Sequence, residues 1–204
     1  MRQIAEARFA SIAAALLTGG ESTRMGRDKA RLPLGGVAAA TRAARLLDSL
    51  FEEVLIVGGD PPLDAPGRRV PDPEGPRCAL RGLVGALEAA RAERVLVVAT
   101  DLPLLSPELL LALVAWPEAD VVAPRAAGRL EPLCAIYARD AALVSARARL
   151  AAGHLALHEL IGELTSCTLD ADDLRAIDPE GAALANANTA EDWARLEARL
   201  RGER

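Results

Sequence analysis

The chain has 204 residues, a formal net charge of −5, 51 % apolar residues and only 2 % aromatic ones. It is long enough to bury a proper core, which must be built from Ala, Leu and Val. The charge and the scarcity of rings exclude a basic nucleic-acid surface and a base-stacking platform, so any nucleotide it handles is a small molecule.

In chain order, Ser11 to Leu17 reads as a buried strand running into Thr18-Gly19-Gly20, and Val37 to Leu50 carries a helical pattern. Glu53 to Val57 is a β-branched strand stopped by Gly58-Gly59-Asp60. The proline-rich stretch from Pro61 to Pro76 reads as loop with a short strand at Arg69 to Pro71, and a helix is expected from Ala79 to Ala92. Arg94 to Ala99 is the strongest strand, ending at Thr100-Asp101-Leu102-Pro103. Ser106-Pro107 is an N-cap with proline in the first helical position, opening a helix to about Ala115. Asp120 to Pro124 and Leu133 to Tyr137 read as strands around a turn at Gly128. Helices follow at Ala141 to Ala152 and Leu155 to Ile161, then a late strand at Ser166 to Leu169 and a closing helix at Ala190 to Arg201.

Strands alternating with helices predict a single α/β domain with a mostly parallel central sheet and helices on both faces. Ligands of such sheets bind beyond the carboxyl ends of the strands. The Gly19 loop, the Gly58 loop and Asp101 all follow strands directly, so they are expected to line one edge.

Of 24 basic residues, 23 are arginine; the one lysine is Lys29, inside Gly19-Gly20-Glu21-Ser22-Thr23-Arg24-Met25-Gly26-Arg27-Asp28-Lys29. Chance would put a lone lysine in such a loop roughly one time in ten. An ammonium is a compact point charge where a guanidinium is a broad fork, so an arginine-biased chain that keeps one lysine has a use for the point charge. The glycines let backbone N–H groups approach an anion, and Arg24 and Lys29 add charge, so the loop suits phosphates better than an ordinary solvated turn. It lacks the Gly-Lys-Ser/Thr of a Walker A loop and the GxGxxG spacing of a dinucleotide fingerprint. Asp101 stands where a carboxylate could hold Mg²⁺ with substrate phosphates completing the shell, or could cap a turn.

Leu17-Thr18-Gly19-Gly20 through Lys29, followed by Leu32-Pro33-Leu34-Gly35-Gly36, resembles the signature loop of the molybdenum cofactor guanylyltransferases, MobA-like nucleotidyltransferases of Rossmann-like fold. The resemblance continues at Thr100-Asp101-Leu102-Pro103, at Glu131-Pro132-Leu133 and at Asn186-Ala187-Asn188-Thr189-Ala190-Glu191-Asp192. It implies transfer of GMP from GTP to molybdenum-loaded molybdopterin, with Mg²⁺ and release of pyrophosphate. By the same resemblance Leu17, Thr18, Gly19, Gly20 and Gly26 contact the guanine nucleotide, Arg24 and Lys29 its phosphates, and Asp101 both nucleotide and metal. Asp72 matches a nucleotide-binding aspartate, and Gly58 falls where the second strand approaches the base. Residues 1–104 form the nucleotide half, and residues 105–204, with Glu131, Asn186 and Asn188, the acceptor half facing the pterin. GTP and Mo-molybdopterin are the implied partners, with transient contact to molybdoenzymes or their chaperones and none with nucleic acid or membrane.

Two departures accompany this resemblance. Thr18 stands where the family has Ala, and Cys78-Ala79-Leu80-Arg81-Gly82 where it has Gly-Pro-Leu-x-Gly, a segment near the base that bears on guanine selectivity. A cytidylyltransferase for the same cofactor, a sugar-phosphate nucleotidyltransferase and a non-catalytic nucleotide- or pterin-binding adaptor are the alternative readings. His154 and His158, spaced i, i+4 beside Glu159, have no convincing third ligand for zinc and read as exposed or capping histidines. Arg139, Arg147 and Arg149 read as a helix face with ion pairs. Cys78, Cys134 and Cys167 show no CxxC spacing and read as reduced thiols, Cys78 as a packed one. With no signal-type apolar run and no stretch near the roughly 18 apolar residues of a span, a soluble cytoplasmic protein is expected.

Overall fold

In the computed structural model, residues 8–19, 29–187 and 189–200 are described. Strand β1 (Phe9–Leu17) lies at the centre and pairs in parallel with β4 (Phe51–Val57) on one side and β6 (Arg94–Ala99) on the other. Beyond β4 comes β5 (Arg68–Val70), also parallel. Beyond β6 comes β9 (Cys134–Ala138), antiparallel to both β6 and β7 (Val121–Ala126), and β10 (Ser166–Leu169) closes that edge parallel to β7. The order β10-β7-β9-β6-β1-β4-β5 carries β8 (Arg129–Leu130) as a short hairpin partner of β7. The sheet is thus parallel around β1, as expected, with β9 and the short β8 reversed.

Alternation along the strands makes two cores. Ile12, Ala14 and Leu16 of β1, with Leu96 and Val98 of β6, face α1 (Ala39–Leu50), α3 (Pro107–Ala115) and α6 (Ala171–Ile177). Ala13, Ala15 and Leu17, with Val95 and Val97, face α2 (Ala79–Ala89), α4 (Arg139–Ala152) and α5 (Leu157–Gly162). A third, smaller cluster joins Leu34 and Ala39 to Ala187, Trp193 and Leu196, seating α7 (Ala190–Leu200). None of the helices among the described residues is long and apolar enough to cross a membrane.

Several elements differ from the sequence expectation. The helix expected from Val37 starts at Ala39, because β2 (Pro33–Leu34) and β3 (Val37–Ala38) form a hairpin. Its turn is Gly35-Gly36, both at positive φ (60° and 80°), the conformation that two-residue hairpins require. The stretch before it also contains a turn of 3-10 helix at Lys29–Arg31. Helix α6 was not expected, since it buries no residue; a capping box between Asp170 and Asp173 starts it. By contrast α3 begins as read, with the Ser106 hydroxyl accepting from the Leu109 N–H and Pro107 in the first turn. Arg139 and Arg147 make the expected surface pairs with Asp140 and Glu88, whereas Arg149 is buried and clamps α5 through Glu159 and Glu163.

The central strand is filled with alanine, so the two helix layers lie close to it. Enlarging Ala15, which is fully buried, to leucine overpacks the second core and is expected to cost about 1–3 kcal/mol. The same change at exposed Ala151 in α4 is expected to stay within about 0.5 kcal/mol. Denaturant midpoints of the two variants check this.

Candidate functional site

The register around β1 decides where the loops go. Leu17 is level with Val57 of β4 and with Ala99 of β6, so three chains leave the sheet side by side at its carboxyl edge. Backbone bonds continue the pairing past the strands: Thr18 N–H donates to Val57 O at 2.9 Å, and Gly58 N–H to Val70 O at 2.9 Å. The open side of this edge is a pocket of about 650 Å³, a volume suited to a nucleotide-sized ligand. Leu17, Thr18, Gly19, Lys29, Asp72 and Asp101, all singled out in the sequence, line it together.

Thr18 is buried, and its hydroxyl is shared between the carbonyls of Gly58 (2.5 Å) and Val57 (3.2 Å). The hydroxyl that replaces the family's alanine therefore pins the adjacent glycine turn. Gly59 has φ of 61°, and a Cβ there would lie 2.5 Å from Thr18 O. Gly58 (φ 68°) is equally constrained: a Cβ would meet Oδ1 of Asp72 at 2.5 Å. It is Gly59 rather than Gly58 that lines the pocket, although Gly58 makes room for the carboxylate.

At the other end, Asp101 follows β6. Burial raises its carboxyl above the ordinary value, and the nearby Lys29 ammonium partly offsets this. Glu131, in the turn before β9, is also raised, first by burial and then by the negative charge of Asp101. Two carboxyls raised by burial, one of them also by the charge of the other, form a site that a cation relieves. Among the described residues no cluster of three or more His, Cys, Asp or Glu could hold a metal by itself. The donor set therefore suits Mg²⁺ with Asp101 as protein ligand and substrate phosphates as the others, and poorly suits a dedicated all-protein cage. The Ala187 N–H donates to Asp101 O at 3.0 Å, which brings the Asn186 segment against the Asp101 loop although Asn186 itself is exposed and outside the pocket lining.

Arg24, Gly20, Gly26 and Asn188 lie outside the described residues. Sequence reasoning missed Arg77 as pocket lining and assigned no individual role to Arg81, Thr100 or Leu133, although it placed the Cys78 to Gly82 segment near the base; Cys78, read as a packed thiol, is half-buried on the pocket wall. The signal for this wall was the resemblance at Cys78 to Gly82, which puts the start of α2 beside the base. His154 falls in the turn after the Gly153 cap of α4, outside α5, so it shares no helix face with His158.

A family model described as "MobA-like NTP transferase domain" matches residues 14–167. The chain is 36 % identical to the "Probable molybdenum cofactor guanylyltransferase" of Chloroflexus aggregans, across 91 % of this chain and 93 % of that one. It is 31 % identical to the "Molybdenum cofactor guanylyltransferase" of Desulfosudis oleivorans, across 93 % and 96 %. The crystal structure of molybdopterin-guanine dinucleotide biosynthesis protein A from Archaeoglobus fulgidus has the same fold, with a TM-score of 0.80 at 22 % identity, over 93 % of this chain and 99 % of that one.

Two outcomes follow from this geometry. Gly59→Ala forces a side chain onto Thr18 O and is expected to lower stability by about 1–3 kcal/mol, read from the melting transition, and to weaken nucleotide binding with it. Burial pushes the Cys134 thiol up to about 12, so at pH 8 it stays protonated and unreactive toward an aromatic disulfide reagent until the protein unfolds. Cys78 on the pocket wall is expected to be labelled in the native protein and protected by GTP.

Proposed function

As the chain belongs to the family of MobA-like NTP transferases, we propose that it transfers GMP from GTP to the phosphate of Mo-molybdopterin, giving the guanine dinucleotide cofactor and pyrophosphate. The observation that carries this is the placement of Lys29 near the half-buried Asp101 in a nucleotide-sized pocket at the carboxyl edge of the sheet. The curated relatives from Chloroflexus aggregans and Desulfosudis oleivorans, matched over nearly their whole length, support guanine and molybdopterin as the two substrates.

The chemistry needs no side-chain nucleophile. A phosphate oxygen of the acceptor attacks the α-phosphorus of GTP, the new P–O bond forms as the α–β bond breaks, and pyrophosphate leaves with the electron pair. The difficulty is electrostatic, since two anions must meet and charge builds on the leaving group. In this reading Lys29 and Arg24 hold the phosphates, and the backbone of Leu17 to Gly20, with Gly26, wraps them. Asp101 would hold Mg²⁺, which when bound supplies positive charge to the phosphoryl oxygens. Asp72 and the Gly58-Gly59 turn take the nucleoside. Glu131, Asn186 and Asn188 belong to the acceptor half, residues 105–204; the bond from Ala187 to Asp101 supports that placement by bringing their segment to the reacting end. GTP supply puts the reaction in the cytoplasm, with the product passed on by transient contact with molybdoenzymes or their chaperones.

Pyrophosphate release with GTP, Mg²⁺ and Mo-molybdopterin tests the assignment, and stabilisation by GTP above CTP tests the base. Lys29→Ala and Asp101→Ala are each expected to lower turnover about a hundredfold or more while leaving the melting temperature near that of the wild type. Near-normal turnover in either variant would refute the proposed roles.

A further inference from the structure

Along the carboxyl edge the strands run β6, β1, β4, β5, so Asp101 after β6 and Asp72 after β5 are three strand spacings apart, about 14 Å. One end of the pocket thus carries Lys29 with Asp101, the other Asp72 with Arg81. A nucleoside triphosphate has the same length and polarity. In the proposed reading Lys29 holds the phosphates, which leaves the nucleoside at the far end, where the Asp72 carboxylate suits the part of the ligand that presents N–H donors.

The Asp72 carboxylate is held in one orientation. Arg81, on the first turn of α2, donates from one terminal nitrogen to Oδ2 of Asp72 at 2.9 Å and from the other to Gly75 O at 2.9 Å. Both side chains are largely buried, 14 % and 24 % exposed, so the pair is little screened. The described residues give Oδ1 of Asp72 no donor, and Nε of Arg81 is buried with no partner among them. Arg94 and Arg149 also leave a buried Nε without a partner, so it is the placement of the two terminal nitrogens that sets Arg81 apart. This one spends its two terminal nitrogens on fixing a carboxylate and the loop that carries it.

Resting on the proposed GTP specificity, we propose that Arg81 is a positioning residue for base selection: by occupying Oδ2 it fixes Asp72 so that Oδ1 accepts an N–H from the Watson–Crick edge of guanine. Adenine presents a ring acceptor where guanine presents N1–H, and a fixed carboxylate repels it. A mobile carboxylate discriminates less, since it can turn away from the wrong base.

The test compares full-length wild type, Arg81→Gln, Arg81→Lys, Asp72→Asn and the Arg81→Gln/Asp72→Asn double variant, with ligand-free melting curves as the folding control. Affinities for GTP, ATP, ITP and dGTP are measured calorimetrically with Mg²⁺, and kcat and KM for GTP in the transfer assay. Arg81→Gln is expected to weaken GTP about tenfold while moving ATP less than about twofold. KM for GTP should rise more than kcat falls, and Arg81→Lys should recover part of the loss. In the double variant GTP should bind no more weakly than in Asp72→Asn alone, because Arg81 acts through Asp72. Multiplying losses in the double variant would overturn the proposal. So would equal losses for GTP and ATP, which would make Arg81 a general phosphate-attracting charge, or a loss for GTP absent for dGTP, which would assign the bond to the ribose. Should the wild type prefer a different nucleotide, the guanylyltransferase reading fails, while coupling between Arg81 and Asp72 on the preferred nucleotide is still read from the same cycle.

Discussion

The level register of β1 between β4 and β6 is the constraint from which the site follows. Parallel strands that end together at Leu17, Val57 and Ala99 send three loops off the same edge, and Thr18 and Gly58 extend the pairing one residue beyond the ladder. No loop could supply the pocket alone. Asp101, Gly19, Gly59 and Asp72 are far apart in the chain and meet only because the strands before them are aligned. Ala13, Ala14 and Ala15 in β1 serve the same end: small side chains on both faces let α1 and α2 come down on the central strand, and the first turn of α2 thereby becomes a wall of the pocket.

Electrostatics then divides the labour between the two kinds of cation. The arginines act as forks that tie backbone carbonyls and carboxylates together. Arg69 reaches the carbonyls of Pro62 and Ala65, Arg68 joins Glu53 to Ala89 O, and Arg139 joins Asp140 to the carbonyls of Ala90 and Arg91. Exposed pairs of this kind contribute little each. Their value lies in geometry, since a planar fork can satisfy several loop acceptors at once. Lys29 has a different setting, near a half-buried aspartate whose ionised form it favours. A point charge on a flexible stem can follow phosphoryl oxygens as bonds form and break, which a fork engaged in fixed contacts does less well.

How far the sequence reveals this depends on what each element needs. Arg94 to Ala99 and Ser106-Pro107 were legible because a buried strand must be apolar and a capped helix start needs particular side chains. Helix α6 was not, because it is short and offers only Leu174 and Ile177, both partly buried, as an apolar face. The reversal of β9 was hidden too, since a fully buried strand has the same composition in either direction. Within the site, Lys29 and Asp101 stood out through loop chemistry after strands, and Thr18 and Asp72 through the resemblance to a family. Arg81 did not: one arginine among 23 on a helix start has no distinguishing neighbour until folding sets Asp72 and Gly75 beside it.

Helix α7 ties together segments that are far apart in the chain. The Trp193 indole N–H donates to Pro33 O at 2.8 Å, and its ring is buried with Leu34, Ala39, Ala187 and Leu196. Pro33 belongs to the hairpin directly after the Lys29 turn, and Ala187 bonds the carbonyl of Asp101. One small cluster therefore fixes three things relative to each other: the turn that carries the lysine, the loop that carries the half-buried aspartate, and the Asn186 segment of the second half. Aligning two anionic substrates to within a fraction of an ångström requires that kind of shared foundation, because an error in any one of the three misplaces the reacting phosphates. The tryptophan supplies it economically, being large enough to fill the gap between hairpin and helix and polar at the single point where a carbonyl needs a partner.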